Sequence, residues 1–519
     1  MSRFKKILLI LGILALFIVL LNKGAEYYIA KKLPSILNSE KDFPYYVSYS
    51  DMDVNLISGN FTIYNAKLTP KDSTDGANRQ GMFGNIEKLE VKHLDLWKLW
   101  REKNVDVKKV ILNRPDVNLY PKNKDEEQDT VKKPFKNSIT AGTLQIKDGR
   151  FALLDSAQQP ALLASHISFE LSNITADSVT VAQKIPVTYK DYAFSCDSLY
   201  YDAGVNYKIY LGSLNVADSA IAAKDFRMMP KQTRREYTRM IPVEHDQYTV
   251  NADSIGVKKI DWGYNNDTLY IHTPEVVLQN VFANVYRSKE PKDDPSIKKL
   301  YSNMLRSIKF DLKADKIMLK NSTIEYEEQN TFSRPPAKVE FSKFYASVYN
   351  IYSPVGKDTL PDTKIDVQCL FMKAAPLNVA WTFNTLDKSD SFTIIGNIQN
   401  LPSQYMNKIS KPLMNVTTQG TLNNIKFTFN GNRERGSGHF AINYEDLKVE
   451  LYKSDGSKKH KLKTFLGNLL VKNDSNGGKK EADVSVERKK DKSVFNFLWL
   501  FLQEGLKETM LPGLVTTVI

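Results

Sequence analysis

The side chains best suited to acid–base or metal chemistry are few and scattered along the chain. The histidines lack the H-x-x-x-H spacing and the neighbouring cysteines that are typical of zinc sites. They are His93, His166, His245, His272, His439 and His460. One acidic grouping, "EHD" at 244–246, includes a histidine, and we expect a solvated loop there. The pattern therefore predicts no metal site, no cofactor and no catalytic residue.

Motifs for phosphate binding or nucleophilic catalysis give the same answer. "GSGHF" at 436–440 is a lone G-x-G without a following helix, so a hairpin turn is a better interpretation than a phosphate loop. No P-loop, nucleophile elbow or zincin motif is written in the sequence. The net charge is +13, but the basic residues do not alternate with aromatic ones as a nucleic-acid platform requires. We expect neither an enzyme nor a nucleic-acid-binding protein.

The chain has two cysteines, Cys196 and Cys369. Each alternates with apolar neighbours, so both are expected to be buried. Free thiols are the simpler interpretation, and a disulfide in an exported protein is the alternative.

The elements that carry these residues are mainly β-strands, because the dominant period is two. "TKIDVQCLFMK" places Ile365, Val367, Cys369 and Phe371 on one face, and "LNVAWTF" continues the pattern after a short turn. Tyrosine and phenylalanine number 26 and 25 beside 24 glycines, which also favours strands. Helical spacing is confined to "KKLYSNMLRSI", "SQYMNKIS" and the final "VFNFLWLFLQEGLKETML".

The N-terminus carries a membrane-targeting pattern. Arg3, Lys5 and Lys6 precede an uninterrupted apolar run from Ile7 to Leu21. No small-x-small cleavage site follows, so an uncleaved transmembrane anchor is favoured over a cleaved signal peptide. The bulk of the chain is then expected on the far side of the membrane.

A large internal repeat is written in the chain. "VKHLDLW" at 91–97 resembles "VKKIDW" at 257–262, and Tyr120 falls on Tyr286 at the same offset of 166. Upstream the offset is 160, and downstream it is slightly larger than 166. The repeated unit of one-faced strands predicts either separate β-sandwiches or one continuous curved sheet with an apolar concave face.

Four stretches resemble the AsmA-like family, the superfamily of TamB and YhdP. The first follows the predicted anchor and short helix and reads "VSYSDMDVNLISGNFTIYNAKLTP". The others are "IEKLEVKHLDLWKLW", "VILNRPDVNLY" and, later in the chain, "GTLNNIKFTFNGNRERGSGHFAINYEDLKVEL". The resemblance implies a bacterial inner-membrane protein with its bulk in the periplasm and an elongated, taco-like β-groove. It also implies that the groove shields phospholipid acyl chains during lipid transport or outer-membrane assembly, with outer-membrane or envelope assembly proteins as partners. The chain is much shorter than the large family members.

These expectations give six segments: a transmembrane anchor, a juxtamembrane helix with linker, two β units, a C-terminal β region, and a basic segment with an amphipathic helix. Their predicted ranges are 1–22, 23–48, 49–208, 209–353, 354–475 and 476–519.

The predicted groove lining takes the apolar positions of the strands with the clearest alternation. These are Ile365, Val367, Phe371, Val379, Trp381, Phe383, Ile425, Phe427 and Phe429. Tryptophans Trp97, Trp100 and Trp262 are expected to be core residues at strand ends, with a place at the groove seam as the alternative. The rival function is a β-sandwich scaffold that holds envelope partners and carries no lipid.

The C-terminal end predicts a second membrane contact. Residues 453–492 hold twelve Lys/Arg against six Asp/Glu, and an apolar helix follows. The predicted contacts are Lys479, Lys480, Lys489, Lys490, Phe495, Leu498, Trp499 and Leu502. The alternative is that this helix plugs the open end of the sheet and covers its edge strands.

Overall fold

The chain folds mainly into β-strands, as its alternating pattern predicts. A computed structural model describes residues 28–29, 31–32, 35, 38–39, 44–71, 79–121, 137–217, 219–453, 474–475 and 478–510. The chain forms two compact units. Unit 1 comprises residues 1–204 and 208–218, and unit 2 comprises residues 205–207 and 219–519.

The strands vary from four to nineteen residues in length. In chain order they are β1 Tyr45–Ser48, β2 Asp51–Asn55, β3 Asn60–Pro70, β4 Gly81–Leu94, β5 Val105–Tyr120, β6 Ile139–Leu154, β7 Pro160–Ala176, β8 Tyr192–Cys196, β9 Ser198–Ala203, β10 Tyr207–Leu211, β11 Ser213–Ala217, β12 Ala220–Pro230, β13 Gln247–Lys258, β14 Asp261–Asn265, β15 Thr268–Thr273, β16 Glu275–Gln279, β17 Phe282–Ser288, β18 Asp311–Gln329, β19 Ala337–Tyr352, β20 Thr363–Phe371, β21 Ala375–Phe383, β22 Phe392–Pro402, β23 Val416–Gly431, β24 Arg435–Leu451 and β25 Lys480–Glu487.

Five α-helices lie between or after these strands in the described part of the chain. They are α1 Leu96–Glu102, α2 Arg234–Met240, α3 Tyr301–Arg306, α4 Asn407–Met414 and α5 Val494–Met510. Short 3-10 helices span Thr180–Ala182 and Ser403–Met406. The three helices predicted from spacing correspond to α3, to the second 3-10 helix with α4, and to α5, so their existence is confirmed.

Unit 1 is a mixed sheet. β3, β4 and β5 pair antiparallel in sequence, β6 then pairs parallel to β5, and β7 returns antiparallel to β6. A parallel pair requires a crossover, because the chain must return to the starting end of the previous strand. β8 and β9 both pair with β7, and β11 and β10 then continue the sheet from them.

Unit 2 repeats this order of pairing. β12 and β13 are antiparallel, and β13 pairs antiparallel with β16 and β17 in turn. β18 then runs parallel to β16 and β17, and β19 returns antiparallel to β18. From β19 to β25 every neighbouring pair is antiparallel.

Backbone conformation follows the offsets found in the sequence. Several non-glycine residues take the left-handed conformation, which costs energy for residues with a Cβ and marks irregular points in strands. Six pairs recur at offsets of 160, 166, 173 and 177: Asn65 with Asp225, His93 with Lys259, Arg114 with Asn280, Asp148 with Asn321, His166 with Lys343, and Asn173 with Asn350.

The hairpin predicted in the C-terminal part of the chain is confirmed. β20 and β21 pair with Val367 opposite Val379, and the turn between them holds Met372 and Lys373 at positive φ. The hairpin turn predicted at "GSGHF", 436–440, lies a few residues earlier in the structure. Gly436 already lies within β24, and the turn falls between β23 and β24.

The predicted anchor, residues 1–22, lies outside the described residues. Among the residues that are described, no helix is long and apolar enough to cross a bilayer. Helical residues are described at 28–29, 31–32, 35 and 38–39, within the predicted juxtamembrane segment. There the Asn38 side chain accepts from the Val47 backbone N–H at 2.7 Å, which ties this segment to β1.

Candidate functional site

The most extended feature of unit 1 is an apolar face made by rows of side chains in register. One row crosses six strands through Phe61, Val91, Val110, Leu144, Leu171 and Tyr192. A second row crosses the same strands through Ile63, Leu89, Leu112, Ile146, Phe169 and Phe194. These side chains are half-buried. We call these two rows the unit 1 face.

The apolar surface continues beyond the left-handed residues, but the alternation there changes phase. On β5, Val110 and Leu112 belong to the face before Arg114, whereas Val117 is the apolar position after it. On β6, Ile146 and Phe151 pack against the same buried cluster although their positions differ by an odd number, which strict alternation would place on opposite faces. A left-handed residue therefore shifts the apolar positions from even to odd numbers without leaving the face.

Unit 2 carries the same kind of face over more strands. One row runs in register through Ala223, Ile255, Leu278, Leu319, Ala346, Val367, Val379, Gly396, Phe427, Phe440 and Ala482. The neighbouring row includes Ile317, Val348, Ile365 and Trp381. We call these rows the unit 2 face.

The unit 2 face is covered at its C-terminal end. α5 places Val494, Phe497 and Phe501 against β23–β25, and all three side chains are buried. Phe501 stacks on Phe429 with ring centroids 4.6 Å apart, and Phe429 is 0% exposed. Close approach of helix and strand depends on Gly505, because a Cβ there would lie 2.4 Å from the Phe440 ring.

A second element covers the middle of the same face. The connection from β17 to β18 must cross the sheet, since these two strands are parallel. It carries α3, whose Tyr301 ring lies 5.1 Å from Trp381. The connection is also held to the segment before α5, because Lys492 pairs with Asp293 at 2.8 Å.

The nine predicted lining residues share one face, but the structure places them in two environments. Ile365, Val367, Phe371 and Val379 are half-buried. Trp381, Phe383, Ile425, Phe427 and Phe429 are buried in the core under α3 and α5. For these five the predicted open lining is wrong in the structure described, because the C-terminal helix and the crossover fill the space above them.

The predicted membrane contacts on α5 and in the basic segment before it also fall into buried and exposed groups. Leu498 and Leu502 pack towards the core, whereas Phe495 is 60% exposed and Trp499 lies on the same outer side. Lys479 pairs with Glu481 and Lys490 with Glu434, while Lys480 is half-buried and Lys489 exposed. The coverage of β23–β25 is the arrangement expected of a plug.

The tryptophans predicted as core residues are on the surface. Trp97 is 62% exposed, Trp100 is 76% exposed, and Trp262 is 40% exposed. Trp97 and Trp100 stand on α1, which leaves the end of β4 and has no buried residue. A short helix beyond a strand end has no sheet above it, so its apolar side chains stay in solvent.

Charged and phenolic groups close one end of the unit 2 face. Arg287 donates to Asp246 at 2.7 Å, and Tyr248 donates to the other oxygen of that carboxylate at 3.2 Å. Burial, together with Asp246, raises the pKa of Tyr248 to about 12. Burial raises the pKa of Tyr326, which donates to Glu328, even further. These phenols stay protonated near neutral pH and act as hydrogen-bond donors.

The "EHD" segment differs from the solvated loop that the sequence predicts. Glu244 is buried and pairs with Lys289 at 2.9 Å, and Asp246 is held by Arg287. Only His245 of the three projects into solvent. The acids therefore fix the end of β13 rather than face water.

Both cysteines are free and buried. Burial raises the pKa of the Cys369 thiol to about 12 and also raises the pKa of the Cys196 thiol. A protonated, buried thiol is a poor nucleophile, so both act as small apolar residues of the two faces.

Within the described ranges, no group of three or more histidine, cysteine, aspartate or glutamate side chains is placed to hold a metal ion. The sequence signal for the unit 1 face was present in its strands, but the phase change at each left-handed residue hid it from a search for strict alternation. No family model matches the chain, and no curated protein matches it. Its function is therefore inferred from the apolar faces themselves.

Proposed function

We propose that the chain binds the acyl chains of phospholipids along the unit 1 face and the half-buried part of the unit 2 face. The observation that carries this proposal is the register of apolar side chains across six strands of unit 1. Rows of this length form a surface that a hydrocarbon chain can follow while it excludes water. Shielding of this kind needs no acid, base or metal.

The polar groups at the end of the unit 2 face fit the same function. An acyl chain is confined to the apolar rows, because Arg287, Asp246 and Glu328 would lose hydration without gaining a partner beneath hydrocarbon. The lipid headgroup then has to lie beyond the rows or in solvent. The faces accordingly select a long apolar chain with a polar end.

The cellular setting we propose is the bacterial envelope. The predicted anchor at residues 1–22 and the resemblance to AsmA-like proteins support an inner-membrane protein whose bulk lies in the periplasm. In that setting the faces would support phospholipid transport or outer-membrane assembly. The duplicated strand order and the recurring left-handed residues support a groove built from a repeated unit.

The second candidate is a scaffold that holds envelope proteins and carries no lipid. The closed core under α3 and α5 favours it for the C-terminal part of unit 2, because a packed core has no room for an acyl chain. It does not account for the half-buried rows of unit 1.

A binding titration separates the two candidates. The full chain is kept in a fluorinated surfactant, which does not mix with hydrocarbon, and a phosphatidylcholine with a fluorescent acyl chain is added. We expect saturable binding that Leu144→Asp weakens by about tenfold or more, because a carboxylate beneath hydrocarbon is desolvated.

The matched control is Thr143→Asp, which adds the same charge to the opposite side of the same strand. Equal binding by wild type and Leu144→Asp, or equal loss in the two variants, would contradict the proposed site. Leu144→Ala keeps the test informative if the charged variant folds poorly, because it should weaken binding to an intermediate extent.

A further inference from the structure

One end of the unit 1 sheet carries a row of exposed apolar side chains that the acyl-binding faces do not use. The end is defined by the register of the strands, since Asn60, Leu94, Val105, Ile139 and Ala176 all lie at it. The side chains stand on the connections at this end. We call Ile57, Trp97, Leu99, Trp100, Val179 and Val181 the apolar rim.

The side chains of the apolar rim are largely exposed to solvent. Ile57 is 76% exposed and Val179 is 67% exposed, alongside the two exposed tryptophans of α1. Trp97 and Trp100 lie side by side, with ring centroids 5.7 Å apart. Clustered large apolar side chains on one edge indicate an interaction surface.

The connections are held rigidly in these positions. Gly59 accepts from the Leu94 N–H at 2.8 Å, and a Cβ at Gly59 would meet the Leu94 carbonyl at 2.2 Å. α1 begins where the Asp95 side chain accepts from the Lys98 N–H. Asp177 accepts from the Val179 and Thr180 N–H groups and so fixes the 3-10 turn. The apolar rim is therefore preorganised by hydrogen bonds within the chain.

We propose that the apolar rim docks on an anionic lipid bilayer, with its side chains entering the interface. Arg101, Lys103 and Lys108 are exposed on and beside α1, where they can face negative headgroups. Tryptophan prefers the membrane interface, because there its apolar ring can enter the lipid while its N–H stays hydrated. The side chains project from separate connections, and a fluid bilayer admits such protrusions without a matching recess.

The proposal is independent of acyl binding by the unit 1 face, and its test uses the full chain. The chain is held in phosphatidylcholine nanodiscs and mixed with vesicles of phosphatidylcholine and phosphatidylglycerol. An environment-sensitive dye is attached at Leu99→Cys or Val181→Cys. Native Cys196 and Cys369 are buried and remain unlabelled.

We expect blue-shifted, brighter emission at both rim positions when anionic vesicles are added, and about tenfold weaker vesicle binding in Trp97→Ser with Trp100→Ser. The matched control is Tyr201→Cys, which is also exposed but lies on β9 in register with Leu162, at the other end of the strands.

Two results would overturn the proposal. Rim dyes that respond no more than the Tyr201→Cys dye would show that the rim does not enter lipid. Rim dyes that respond to protein concentration without vesicles would assign the rim to contact between copies of the chain instead.

Discussion

Replacing Phe429 by alanine is expected to destabilise unit 2 by about 3–5 kcal/mol, because the ring is fully enclosed and its loss leaves a cavity. Phe429 is stacked on Phe501 and lies 5.0 Å from Phe497, so the cavity would open between strand and helix. Hydrogen exchange at the amides of β23, β24 and α5 measures the change in that region.

The matched control is Leu112→Ala on the unit 1 face. Its side chain is half-buried, so its removal should lower protection of β5 by only about 1 kcal/mol. Similar losses at Phe429 and Leu112 would contradict the distinction between a closed C-terminal core and an accessible unit 1 face.

Replacing Gly505 by leucine is expected to lift α5 from the sheet. Even the first added carbon would lie 2.4 Å from the Phe440 ring, well inside contact distance. Glycine in a helix interior costs about 0.8–1 kcal/mol relative to alanine, and leucine ranks close to alanine, so any loss of order comes from the clash and not from helix propensity. We expect α5 amides to lose protection and an apolar dye to bind several times more strongly.

Gln503→Leu is the control for this variant, because it places the same side chain on the exposed side of α5. Unchanged protection of α5 in Gly505→Leu would mean that the helix does not sit at the described distance. If acyl chains can also use the C-terminal part of the unit 2 face, the same variant should take up more of the fluorescent lipid.

The sequence predicted strand faces well where alternation is strict. β20 and β21 have no left-handed residue within them, and they form the one-faced hairpin that the alternation predicts. Where a left-handed residue interrupts a strand, as Arg114 does in β5, a period of two loses its phase. The unit 1 face was missed for that physical reason.

Tertiary closure was harder to predict than the strands. The apolar pattern of α5 indicates a helix with an apolar face that must be buried. The spacing of its apolar residues does not show whether that face packs on a bilayer or on a sheet. Two glycines mark this closure. Gly436 faces the Phe429 ring and Gly505 faces the Phe440 ring, each at a distance that leaves no room for a Cβ. For Trp97 and Trp100 the prediction of burial from large apolar area is wrong, because both rings stand exposed on α1.

Photo-cross-linking on the unit 1 face tests the central claim most directly. Benzoylphenylalanine replaces Phe169, which lies in the second apolar row, and the control position is Glu170, the exposed residue that follows it on β7. Both variants of the full chain are irradiated in living cells, and adduct masses are measured. The account predicts phospholipid adducts at Phe169 and few or none at Glu170, whereas protein adducts alone at Phe169, or lipid adducts equal at both positions, would contradict it.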